Sequence, residues 1–264
     1  KAYRKDFFQL AQQQASDEKF NGYIFTEAKD NFRLKTFLSK LQQHQIEVYP
    51  LTQDYKTHDS TFLAKHSYYV PLAQKQYRVI KALFNQQSNF QDNTFYDVSG
   101  WTLPLAMNIK FSQVGRTWGL KTQKSPWQPA SVKTLEVSTT AYAYAFEWHD
   151  FLAPKLLNKI INAEINVKVA SKEFSAIVNG TTKAFDKGTI IIPAGNQKVK
   201  NWRSILIGYA AKNDIPLMAV DTGLTLKGID IGSSSFHPIA RPKVLLIGGK
   251  GISQYEAGEM FYYL

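Results

Sequence analysis

Residues 22–25 read Gly-Tyr-Ile-Phe, and residues 143–146 read Ala-Tyr-Ala-Phe. Each run is followed by a stretch of helical period and then by a second short run. That second run is Ile46-Glu47-Val48-Tyr49 in the first case and Ile165-Asn166-Val167-Lys168 in the other. A third run ends in proline both times, Ser67-Tyr68-Tyr69-Val70-Pro71 and Thr189-Ile190-Ile191-Ile192-Pro193, and a further helical stretch follows. Phe25 and Phe146 are 121 positions apart, Val48 and Val167 are 119, and Pro71 and Pro193 are 122. Such near-constant spacing predicts a duplicated α/β unit.

The helical stretches carry one apolar face each. Leu34, Phe37, Leu38 and Leu41 recur at i, i+3, i+4 and i+7, and in the second copy Leu152, Leu156, Leu157, Ile160 and Ile161 fall on one face. The later helices bear Tyr77, Ile80 and Phe84, and Trp202, Ile205, Leu206 and Tyr209. Strands Tyr23–Phe25 and Ile46–Tyr49, joined through a helix, are expected to pair in parallel by a right-handed crossover. The expected fold is therefore α/β: two similar repeats, each with a mixed, mainly parallel sheet flanked by helices.

Expected boundaries follow from the same reading. A polar helix occupies 1–20, repeat one with a connecting segment spans 21–112, a loop-rich connector covers 113–137, and repeat two spans 138–240. Residues 241–264 read as the start of a further, truncated α/β unit. There an apolar strand, Lys243 to Ile247, meets Gly248-Gly249-Lys250-Gly251, and Ser253 with Glu256 has the capping-box spacing that opens a helix.

Composition narrows the function classes. The chain has 264 residues, 44% hydrophobic and 20% charged, which suits a globular protein with a sizeable core. No apolar run approaches the length of a membrane span, and Lys1 to Phe20 lack the apolar centre of a signal peptide. The chain has no cysteine, which removes disulfides, thiolate metal sites and cysteine nucleophiles together. The net charge is +11, yet the basic residues are scattered and form no stripe interleaved with stacking aromatics, so no nucleic-acid partner is expected.

Several motifs have a chemical look. His44-Gln45-Ile46-Glu47 has the His-x-x-Glu spacing of zinc carboxypeptidases, but the second copy carries Ala163 and Asn166 at those places. Asp221-Thr222-Gly223 mimics the aspartic-protease triplet, without a second triplet to share a proton and with Leu224 where a small residue belongs. Gly248 to Gly251 matches neither nucleotide-binding glycine pattern. The five histidines show no ligand clustering, and no Gly-x-Ser-x-Gly elbow occurs. No catalytic and no metal-ligating residue is assigned. Asp97 and Trp101, in the distinctive run Phe95 to Leu105 joining the repeats, are the candidate contacts.

The runs Gly22–Phe25, Ile46–Tyr49, Tyr69–Leu72 with Gln76-Tyr77-Arg78, Phe95–Leu105, Gly188–Pro193 and Ser253–Glu259, in that order, resemble a known arrangement. It is the region downstream of the catalytic domain in large bacterial secreted proteins of the carboxypeptidase A-like zinc metallopeptidase family, where a glutamine amidotransferase-like domain follows the peptidase. The resemblance covers nearly the whole chain. It implies a secreted or periplasmic parent that uses zinc, an upstream peptidase domain as partner, and a peptide substrate. It places the zinc ligands outside this chain, and the amidotransferase's cysteine nucleophile has no counterpart here. The expected role is a non-catalytic accessory region of a zinc carboxypeptidase. The alternative is a peptide or small-molecule binding module with a cleft between the repeats.

Overall fold

The strand that opens each copy sits at the centre of an antiparallel sheet. The computed structural model describes residues 2–86, 102–129 and 137–264. They fall into two compact units, Lys1–Thr134 with His149–Leu152, and Leu135–Trp148 with Ala153–Leu264.

In the first unit, helix α1 (Ala2–Ser16) precedes β1 (Gly22–Thr26), α2 (Asn31–Gln43) and β2 (Tyr49–Pro50). A small hairpin follows, β3 (Tyr55–Lys56) and β4 (Thr61–Phe62), then β5 (Ser67–Pro71), α3 (Tyr77–Phe84), α4 (Leu103–Ala106) and β6 (Lys110–Val114). The sheet order is β2-β5-β1-β6, with every neighbour antiparallel. Helix α2 starts at Asp30, a buried carboxylate whose Oδ1 accepts from the Arg33 amide at 2.8 Å. It ends where Gln45 turns left-handed (φ 58°) and the Ile46 amide reaches back to the Leu41 carbonyl, a glycine-free version of the usual helix stop.

The second unit runs β7 (Ala143–Phe146), α5 (Ala153–Asn162), β8 (Val167–Ala170), a hairpin of β9 (Phe174–Val178) and β10 (Thr181–Phe185), then β11 (Ile190–Pro193), α6 (Trp202–Lys212) and β12 (Met218–Val220). Short strands β13 (Lys227–Gly228) and β14 (Phe236–Ile239) and helix α7 (Gln254–Tyr263) complete it. The eight-stranded sheet has the order β10-β9-β12-β7-β11-β8-β14, with β13 beside β9 and all pairings antiparallel. It curls: the rings of Phe174 on β9 and Phe236 on β14 meet edge-to-face at 5.2 Å although several strands separate them in the order. Ala143, Ala145, Ala170 and Ala176, small side chains in the same cluster, leave room for that curvature.

The two units share one plan. The central order β8-β11-β7-β12 repeats β2-β5-β1-β6, each within a strand-helix-strand-strand-helix-strand sequence, the split βαβ or ferredoxin-like topology. A hairpin is inserted at the same point in both, β3–β4 between β2 and β5, and β9–β10 between β8 and β11.

This corrects the expectation of a mainly parallel sheet. The helix does connect β1 to β2, but β5 enters between them and runs against both, so the expected parallel neighbours never touch. What misled is the burial of β1 on both faces, which reads like a strand between two helical layers. Tyr23 and Phe25 pack with Phe37, Leu41, Ile80 and Phe84 of the helices. Ile24, on the opposite face, packs with Leu51 and with Phe62 of the inserted hairpin. One face is covered by helices and the other by a hairpin.

The expected strand at Lys243 to Ile247 does not form either. Val244 to Ile247 are between 38% and 85% exposed and outside any ladder, because a parallel strand needs neighbours to bond its amides. The helix beyond it, α7, does form, with the Ser253 side chain accepting from the Glu256 amide. Among the described residues no helix is long and apolar enough to cross a membrane.

Candidate functional site

The concavity richest in chemistry lies wholly in the second unit, where β12 ends in Asp221-Thr222-Gly223. A groove of about 410 Å³ is lined there by Tyr142, Asp221, Thr222, Gly223, Leu224 and Asp230, among others. Strand β12 pairs with β7, and this places the residue before β7 beside the residues after β12. The Tyr142 amide donates to the Val220 carbonyl at 3.0 Å, and the Tyr142 carbonyl accepts from Ala194 at 3.0 Å. The backbone is thus fixed on both sides, and the ring stands 48% exposed against Gly223. A Cβ at Gly223 would come within 2.5 Å of the tyrosine Oη, so only glycine admits this close approach.

Asp221 is held by two contacts. Its amide donates to the Ile177 carbonyl at 2.9 Å, and its Oδ2 accepts from the Gly180 amide at 2.9 Å. Gly180 follows Asn179 in the turn between β9 and β10, and both have positive φ (48° and 73°), the conformation an Asn-Gly hairpin turn requires. Asp230 closes the next loop, its Oδ1 accepting from the Thr225 amide at 2.9 Å and the Thr225 hydroxyl at 3.1 Å. One oxygen of each carboxylate is therefore engaged by the fold. Among the described residues, no lysine, arginine or histidine forms an ion pair with either carboxylate.

The other motifs dissolve into structural duties. His44 lies exposed at the end of α2 and Glu47 accepts from the Tyr49 hydroxyl at 2.7 Å, so nothing joins the two as a ligand pair. Asp221 stands alone as a triplet and caps a hairpin turn. Gly248 to Gly251 is an exposed turn before α7. His58 pairs with the neighbouring Asp59 at 2.5 Å on the open surface, where the carboxylate holds the imidazole above its usual range. Elsewhere in the second unit, Glu147 and Asp186 bring carboxylate oxygens within 4.8 Å of each other, and the Lys183 ammonium lies 3.1 Å from Glu147. A cleft of about 440 Å³ in the first unit is lined by Thr26, Glu27, Leu105, Asn108 and Lys110. Two of its polar side chains are bound into the fold: the Thr26 hydroxyl donates to the His66 carbonyl, and Glu27 accepts from the Lys29 and Asp30 amides. Asp97 and Trp101, the contacts expected from the sequence, lie outside the described residues.

The Asp-Thr-Gly triplet singled out in the sequence follows directly on β12 (Met218–Val220), but the neighbours of Asp221 were not foreseen. Tyr142 carried a signal: in Ala141-Tyr142-Ala143-Tyr144-Ala145-Phe146 the aromatics alternate, and the strand begins only at Ala143. The first tyrosine is consequently left beyond the sheet. Asp230 carried none, since nothing in its surroundings distinguishes it from a loop aspartate.

Comparison with protein-family models, curated proteins and solved structures finds no match to this chain.

Proposed function

We propose that this chain is a non-catalytic accessory region of a secreted zinc carboxypeptidase-like protein, serving to brace the peptidase domain. The order of the runs from Gly22–Phe25 to Ser253–Glu259 supports the reading through its resemblance to that family. The observation that carries it is that the carboxylates of the two catalytic-looking motifs are engaged in local contacts: Glu47 bonds a neighbouring tyrosine and Asp221 secures a hairpin turn. A general acid or base needs its carboxyl group within reach of a reacting proton and a partner that divides the work. A metal-activated water needs ligands converging from a rigid edge. His44 and Glu47 offer neither arrangement.

The test compares the isolated chain with the longer polypeptide proposed to contain it. The isolated chain should take up no stoichiometric zinc and release no C-terminal amino acid from peptides. The longer polypeptide should do both, with activity lost on chelation and recovered on adding zinc. A longer polypeptide that binds no zinc and cleaves nothing would overturn the reading, as would peptide cleavage by the isolated chain.

A further inference from the structure

We propose that Asn179, at the tip of the β9–β10 hairpin, is a modification site: its side chain deamidates spontaneously, and the Asp221 carboxylate slows the reaction. This stands apart from the peptidase reading, because it rests on the chemistry of one dipeptide in two settings.

The sequence contains Asn-Gly twice, at 21–22 and at 179–180. The dipeptide is labile because glycine has no Cβ to hinder attack by its own backbone nitrogen on the preceding side chain. The Gly180 nitrogen gives up its proton and bonds to Cγ of Asn179, while the side-chain nitrogen takes up a proton and leaves as ammonia. Water then opens the resulting succinimide at either carbonyl, giving aspartate or isoaspartate. In sum an amide and water become a carboxylic acid and ammonia, with no change in oxidation state.

The two copies are held differently. Gly22 is buried in β1, opposite Pro71 of β5 and Val114 of β6. Asn21 donates from its amide to the Val114 carbonyl and from Nδ2 to the Gly115 carbonyl, both at 2.8 Å. Its own carbonyl accepts from the Leu72 amide at 2.9 Å and the Tyr69 hydroxyl at 3.0 Å. Closing a ring there would break these bonds and part an inner strand from its neighbours, an opening that costs close to global unfolding.

Asn179 and Gly180 are both exposed, in a two-residue turn with φ of 48° and 73°. Nothing lies within 4 Å of where a Cβ on Gly180 would stand. Water reaches this site and ammonia can leave it. The attacking amide is nevertheless engaged, since Gly180 donates to Asp221 Oδ2 at 2.9 Å. A carboxylate that accepts from an N–H favours the protonated form, so Asp221 opposes the first step. Once isoaspartate forms, an extra methylene lengthens the turn that sets Val178 opposite Thr181.

The test is peptide mapping by mass spectrometry of the whole chain, aged in mildly alkaline buffer with and without guanidinium chloride. In the folded chain Asn179 should convert at least tenfold faster than Asn21, and in denaturant the two should convert at comparable rates. Asp221→Ala should speed conversion at Asn179 about fivefold, the rate equivalent of one lost hydrogen bond. Asp221→Asn, which keeps an acceptor for Gly180 but loses the charge, should fall between the native chain and the alanine variant. Melting curves show which variants are folded. The proposal is overturned if Asn21 keeps pace with Asn179 in the folded chain. It is overturned equally if Asn179 stays intact there long after both sites have converted in denaturant, or if its rate is unchanged or lowered in the folded variants.

Discussion

A single glutamine makes the same three bonds in each unit. Gln74 Oε1 accepts from the Glu47 amide at 2.8 Å, while its Nε2 donates to the Glu47 carbonyl at 3.2 Å and the Pro71 carbonyl at 2.7 Å. Gln197 accepts from the Asn166 amide at 2.9 Å and donates to the Asn166 and Pro193 carbonyls, both at 2.8 Å. Each ties the chain leaving the middle strand to the residues just before β2 or β8, where the backbone would otherwise leave three polar groups to water. Gln74→Ala should lower stability by about 1–2 kcal/mol, as should Gln197→Ala, read by urea denaturation. Gln74→Glu should rescue little, since a carboxylate cannot donate to two carbonyls. Full stability in the Glu variant would show that the donor half of the contact is idle. The correspondence was hidden in the sequence because Gln74 follows Pro71 by three residues and Gln197 follows Pro193 by four.

Helix α1 is held largely by polar and cation–π contacts. Only Ala11 and Ala15 of α1 are buried, an i, i+4 pair too small to anchor fifteen residues by burial alone. Helix α3 supplies the rest. The Arg78 guanidinium lies 4.2 Å over the Phe7 ring, and Glu18, just past α1, accepts from the Tyr77 hydroxyl and pairs with the Lys81 ammonium, both at 2.7 Å. Lys81 first and then Tyr77 hold the Glu18 carboxyl below its usual range, and burial aided by Glu18 pushes Tyr77 up to about 12. A carboxyl with a depressed folded pKa stabilises above its unfolded value and loses that contribution as pH falls through the folded one. Docking of α1 should therefore weaken as pH drops below about 4.5. Glu18→Gln should remove that dependence and raise amide exchange in α1 about fivefold at neutral pH, equivalent to ~1 kcal/mol. Unchanged exchange would mean the helix is held by its small apolar stripe.

At this scale the sequence was a good guide to which elements exist and a poor one to how they pair. The faces of α2 and α3 were legible from period alone; of the residues expected on α5 and α6, Leu156, Ile160, Trp202 and Leu206 are buried, with Ala153 and Ala210 beside them, whereas Leu157, Ile161, Ile205 and Tyr209 are half-buried and Leu152 precedes α5. Residues 23–25 and 143–146 were recognisable as strands, but the partner on each side was not. An apolar residue such as Ile24 does not reveal whether a helix or a hairpin covers it. The run 244–247 erred the other way, its composition promising a buried strand that needs neighbours to form.

For the whole molecule, two units repeat one central strand order, and the second carries a groove at Asp221 and Tyr142 where β12 ends. That groove was half legible: the Asp-Thr-Gly turn stands out in sequence, whereas its pairing with Tyr142 depends on β7 and β12 being neighbours. The shared plan of the two units rests on antiparallel neighbours, β5 beside β1 and β11 beside β7. Nuclear Overhauser contacts between backbone protons test this most directly. The account predicts cross-strand contacts joining Tyr23 to Val70, Phe25 to Tyr68, and Ala145 to Ile191. Contacts running directly from residues 23–25 to residues 46–49, as adjacent parallel strands would produce, would contradict it.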